Sequence, residues 1–127
     1  MSDLQAGSNR TQSDATTRQT FSFDLAAEIR ALQAEPFPVA GRSTRTLVSL
    51  PALRVLLVAM KAGARWDEHV APGRITVQML VGRIRLSAAR TRIDMPAGHL
   101  AALGTRVPHD VEAVEESVFV LTVDRDE

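Results

Sequence analysis

From Thr44 onward the chain reads as short segments that are apolar or alternate apolar with polar. They run 44–50, 53–60, 64–69, 75–81, 83–88, 99–103, 109–114 and 117–123. Turn-forming stretches separate them: Pro51, Gly63, Pro72-Gly73, Gly82, Pro96-Ala97-Gly98, residues 104–108 and Glu115-Glu116. Strand-length segments with a turn signal about every 8–12 residues predict an all-β sandwich or barrel.

Upstream the period changes. Asp24 suits an N-cap, and Leu25, Ile29 and Leu32 share one helical face. Pro36 disfavours helical geometry at Glu35, so the helix ends there. This short helix is expected to pack on the outside of the β structure. Residues 1–20 hold eleven Ser, Thr, Gln or Asn side chains, and only Met1, Leu4, Ala6 and Ala15 are apolar. Such a segment buries too little surface to offset its ordering entropy, which predicts a disordered tail at 1–20 and a single domain over 21–127.

One strand is unusual. Between Arg54 and Met60, Val55, Leu57 and Ala59 lie on one side, and Leu56, Val58 and Met60 on the other. A strand apolar on both faces needs cover on both. The helix supplies part of it in this reading and a second subunit the rest, so a homodimer is expected.

Composition narrows the classes. The chain has 127 residues, of which 45% are apolar and only 4% aromatic, so aliphatic side chains must build most of one core. There is no cysteine, which removes disulfides, thiolate metal sites and cysteine nucleophiles. Apolar runs such as Val55–Met60 are too short to span a bilayer, so no membrane association is expected. The N-terminal residues lack the apolar stretch of a signal peptide, and the expected location is the cytoplasm.

Formal charge balances at 15 basic and 15 acidic residues. The distribution is uneven, with ten basic and two acidic side chains in 41–92, and two basic and eight acidic in 93–127. Interleaved strands from the two halves would make these charges cross-strand neighbours. Arg83, Arg85, Arg90 and Arg92 have no stacking aromatics among them, so no nucleic-acid partner is expected.

The stretch from Gly63 to Gly82 carries the candidate chemistry. Five residues separate Gly63 from His69, and Gly82 closes the following strand. Pro96-Ala97-Gly98 and Val107-Pro108-His109 follow in the second half. These positions resemble the two motifs of the cupin superfamily, the RmlC-like jelly rolls. The resemblance covers roughly residues 44–123 and implies a double-stranded β-helix, a jelly-roll barrel, with the short helix in front. The block from Glu68 to Arg83 is also similar to a subgroup of short bacterial cupins, in which Ala-Pro-Gly follows a single histidine and a Gln lies on the next strand.

The departures from the motif are specific. The resemblance implies a second histidine at Ala71 and a glutamate at Ile75, and neither is there. Gly104 and Arg106 replace an expected Pro and Gly, and Ala113 replaces an Asn. His69 and His109 are the two ligand positions that remain. A complete set would face one way from alternate strand positions and suit Fe, Mn, Ni, Cu or Zn with open sites for substrate. Gln78 is the candidate replacement donor, a single amide inside Ile75–Val81. In a regular strand it faces opposite Ile75. A one-residue shift in the preceding turn brings Thr76, Gln78 and Leu80 inward instead. A site of His69, Gln78 and His109, holding a small molecule or a divalent transition metal, is expected from the second register. In the plainer alternative the histidines hydrogen-bond to each other, to Gln78 or to buried water.

Other residues read more simply. His99 suits a surface turn, Trp66 a packing anchor between sheet and helix or between subunits, and Met60, Met79 and Met95 core filling. Arg65 and Arg106 read as solvated charges. The chain lacks a phosphate loop, a Gly-x-Ser-x-Gly elbow and a His-Glu-x-x-His pair. Three functions stay open: small-molecule binding in the barrel pocket, a metal-dependent dioxygenase, isomerase or decarboxylase acting on a small polar substrate, and a non-catalytic assembly role.

Overall fold

A computed structural model describes residues 20–124. The tail expected at 1–20 lies outside the described residues apart from Thr20. In chain order the elements are α1 (Leu25–Ala34), β1 (Arg42–Leu50), β2 (Leu53–Met60), β3 (Arg65–His69) and β4 (Arg74–Val81). Then come β5 (Arg83–Ala88), β6 (Thr91–Pro96), β7 (Leu100–Leu103), β8 (His109–Ala113) and β9 (Ser117–Asp124). One sheet has the order β1-β2-β9-β4-β7 and the other β3-β8-β5-β6. All pairings are antiparallel. This interleaving of distant strands in two facing sheets is the jelly roll the sequence predicts.

Asp24 caps α1, its carboxylate accepting from the Ala27 N–H at 3.3 Å. The helix stops at Glu35, which is extended at φ −83° and ψ 139°, as the following proline requires. Leu32 is buried against Leu47, Val48, Leu57, Ala59 and Val118, with Phe21, Phe23 and Phe37 packed around them. Burying that one leucine contributes about 2 kcal/mol. Arg45 on β1 reinforces the contact by pairing with Glu28 and Glu35 of the helix, at 3.1 Å each.

This packing accounts for the two-faced strand. Leu57 and Ala59 lie under α1, while Val58 and Met60 enter the space between the sheets. The chain covers that outer face itself, so the apolar pattern of β2 does not require a second subunit.

An apolar core lies between the sheets. Val58, Met60, Ile75, Val77, Met79, Phe119 and Leu121 from the first sheet meet Ile84, Leu86, Met95, Val111 and Ala113 from the second. The three methionines are core residues, as expected. Opposite charges from the two halves of the chain do become cross-strand neighbours. Arg85 pairs with Glu112 at 3.4 Å, Arg83 with Asp94 and with Glu115 at 3.9 Å, and Arg74 with Asp124.

One strand was not expected. β6 is the only strand of the described residues outside the predicted segments. It buries Met95 and half-buries Ile93, while Arg92 and Asp94 face out. Its alternation is present in the sequence, but it brings only two apolar side chains to the core and ends on a proline.

Candidate functional site

His69 is the last residue of β3 and His109 the first of β8. These strand ends lie at one end of the jelly roll, with the β3–β4 connection (70–73), the β5–β6 turn (89–90) and the β7–β8 connection (104–108). Register makes His69 and His109 direct partners. The ring centroids are 4.2 Å apart, inclined at 62°. His109 is buried at 4% exposure and His69 is half-buried.

A bulge produces this pairing. Trp66 pairs with Val111 and His69 with His109, so three steps along β3 match two along β8. In a regular strand, residues three apart face opposite sides. The extra residue lets Trp66 and His69 both face the interior, with Asp67 and Glu68 exposed between them. Trp66 then stacks on His69, centroids 4.9 Å apart at 18°. The Arg42 guanidinium carbon lies 4.1 Å from the Trp66 ring centre. Arg42 starts β1, an edge strand of the other sheet, so this cation–π contact closes the seam between the two sheets. Trp66 is therefore not a contact between sheet and helix, because α1 covers the outside of the opposite sheet.

The hydrogen bonds fix the chemistry of the two rings. His69 Nδ1 lies 2.8 Å from the Asp67 carbonyl oxygen, and His109 Nδ1 lies 2.9 Å from that of Val107. A carbonyl oxygen only accepts, so both Nδ1 atoms must donate. In the neutral rings each Nε2 then carries a lone pair. Among the described residues neither Nε2 has a hydrogen-bond partner. His109 protonates less readily than a free histidine, whose ordinary value is 6.5. Burial is the main cause and the charge on His69 adds to it, while the Val107 carbonyl and Asp110 oppose.

Gln78 does not join them. Ile75, Val77 and Met79 point into the core, and Gln78 is exposed on the outer face of β4. From Arg74 to Met79 the strand keeps the regular register, its bulge falling only beyond, between Met79 and Val81, so the one-residue shift that would turn Gln78 inward does not occur. It pairs with Leu100 and Val120 at positions that also face outward. The proposed third donor is corrected on this point. His99 is exposed beside the Pro96–Gly98 turn. Arg65 faces outward towards Asp110 and Glu112, and Arg106 is exposed.

A resident metal does not fit this donor set. Ile75 is buried in the core and Ala71 packs against it, so the two inward positions that would complete a ligand set carry no donor atoms. Glu68 and Asp110, next to the histidines in sequence, take outward positions. Among the described residues no group of three or more His, Cys, Asp or Glu could hold an ion.

Further polar residues share the inward face of the opposite sheet. Arg42 reaches Trp66, so β1 residues of the same alternation, Thr44 and Thr46, also face between the sheets. Arg54 shares the inward face of Leu56 and Val58 on β2. Both threonines are exposed, and Arg54 is half-buried with no ion pair among the described residues. A polar residue at the end of an otherwise apolar strand was the available signal for Arg54.

No protein-family model and no curated protein matches the chain in sequence. Solved structures do match it in fold. A conserved protein of unknown function from Streptococcus pyogenes superposes with a TM-score of 0.67 at 23% identity, over 75% of this chain and 83% of that one. A cupin superfamily protein from Desulfitobacterium hafniense gives 0.65 at 14% identity, over 72% and 92%. Salicylate 1,2-dioxygenase from Pseudoaminobacter salicylatoxidans, solved with gentisate, gives 0.67 at 18% identity, over 78% of this chain but only 31% of its own. At such identities the likeness speaks for the fold alone, and that fold is the cupin jelly roll.

Proposed function

We propose that this cupin barrel binds a small polar molecule at its histidine end, meeting His69 and His109 as paired hydrogen-bond acceptors. The fixed tautomer carries the reading: both Nδ1 atoms are committed to backbone carbonyls, so both Nε2 lone pairs are left for a ligand. Hydroxyl, ammonium or amide protons are the groups such a pair receives. Thr44, Thr46 and Arg54, on the inward face of the opposite sheet, supply donors for the same molecule. No helix among the described residues is long and apolar enough to cross a membrane, and the reading needs no membrane and no nucleic acid.

The metal-dependent alternative lacks donors, as described above. Two imidazoles with no third ligand bind transition ions weakly. The proposal is tested by ligand-observed NMR with a panel of small polyols, amino alcohols and hydroxy acids, on wild type and on His69→Ala and His109→Ala. Saturable binding of a panel member that both substitutions remove supports it. Binding that survives both substitutions, or a stoichiometric Zn, Fe, Mn, Ni or Cu ion retained by untagged protein and lost in both variants, overturns it.

A further inference from the structure

The outer face of the β3-β8-β5-β6 sheet is a lattice of opposite charges with one gap. Register aligns its side chains in rows across the strands. One row runs Asp94, Arg85, Glu112, Arg65. Arg85 lies 3.4 Å from Glu112, and Arg65 lies 3.6 Å from the same carboxylate, so long side chains close this row. The next row towards the histidine end runs Arg92, Ser87, Asp110. Here the central residue is a serine, too short to bridge. Two strand spacings, about 10 Å, separate the backbones that carry Arg92 and Asp110.

The gap is a recess of about 270 Å³. Ser87, Arg90 and Arg92 line it from the β5–β6 hairpin, Glu68 and Asp110 from β3 and β8, and Pro108 from the β7–β8 connection. Neither histidine lines it. Arg90, Arg92 and Glu68 form no ion pair among the described residues. Asp110 meets only the exposed Arg65, at 3.7 Å, a weak surface contact. The hairpin loop is itself strained. Ala89 and Arg90 have φ of 49° and 68°, left-handed at both positions of a two-residue loop where Asn-Gly is the usual solution. That backbone holds Arg90 at the rim of the recess.

We propose that this recess binds a small zwitterion, its carboxylate against Arg90 and Arg92 and its ammonium against Glu68 and Asp110. Guanidinium forks match a carboxylate in shape and charge. A simple anion would meet the two acidic groups and a simple cation the two arginines, so the dipolar lining selects for both charges in one molecule. The Ser87 hydroxyl supplies a donor and an acceptor between the two charged walls. The site lies outside the interior, shares no residue with the reading at the histidines, and stands or falls apart from it.

The test is an amide NMR titration of the full chain with 5-aminovalerate, with valerate and pentylamine as single-charge controls. The expected result is saturable shifts confined to residues 68, 87–92, 109 and 110, with each control at least about tenfold weaker. Ser87→Arg restores a bridging arginine like that of the neighbouring row and is expected to abolish the response. Arg92→Gln is expected to weaken it about tenfold. Absence of saturable shifts with 5-aminovalerate, an equal response to valerate, or undiminished binding in Arg92→Gln would overturn the assignment.

Discussion

His69 and His109 face each other across the β3–β8 ladder, their ring centroids 4.2 Å apart, and each donates Nδ1–H to a carbonyl two residues earlier in the chain. Two imidazoles this close disfavour double protonation. Burial of His109, helped by the charge on His69, lowers its protonation below the ordinary 6.5.

A pH dependence of stability follows. As pH falls through 6.5, the unfolded chain protonates His109 before the folded protein does. Its contribution is therefore complete above 6.5 and is lost as pH drops towards the lower folded value. Urea unfolding between about pH 7.5 and 5.5 should show wild type losing more stability than His109→Gln. Parallel pH profiles for the two proteins would contradict the buried, neutral state of His109.

Trp66 holds the histidine end to the opposite sheet edge. It packs on the core, stacks on His69 and lies under Arg42. Trp66→Ala should cost about 3 kcal/mol in urea unfolding. Arg42→Ala should cost about 1 kcal/mol, and most of that loss should vanish in a background that already lacks Trp66. Additive costs would show that Arg42 stabilises the protein by another route.

These residues mark the limit of what the sequence discloses. Strand spacing and turn residues disclosed an all-β sandwich or barrel, because each strand repeats a simple alternation and most turns carry Pro or Gly, and the motif resemblance narrowed it to the jelly roll. His69 and His109 were legible as a pair. Trp66 was not, because its direction depends on one extra residue in β3, and a bulge leaves no reliable trace beyond two consecutive acidic positions. Gln78 misled for the opposite reason. A lone amide in an apolar run invites a buried role, but the strand stays in regular register as far as Met79 and the amide reaches solvent. The β6 strand escaped notice because only Ile93 and Met95 report its inner face.

Two glycines of the motif should respond differently to substitution. Gly82 has φ +81°, and a Cβ there would lie 2.7 Å from Ser117 Oγ, 2.9 Å from Ser117 Cα, and also against the Glu116 carbonyl oxygen. Gly63 has φ +85° but nothing within 4 Å of an added Cβ. Gly63→Ala therefore bears only the left-handed backbone cost of about 1 kcal/mol. Gly82→Ala adds a collision with main-chain atoms and should lose about 3 kcal/mol or more, or fail to fold. Thermal unfolding of the pair checks this, and equal losses would contradict it.

The account rests on the tautomer of two rings, and long-range proton–nitrogen correlation NMR of the histidines reads it directly. Above about pH 7.5, His69 and His109 should each show a protonated Nδ1 and an unprotonated Nε2. A protonated Nε2 in either ring would contradict the presentation of paired acceptors, and with it the proposed binding site.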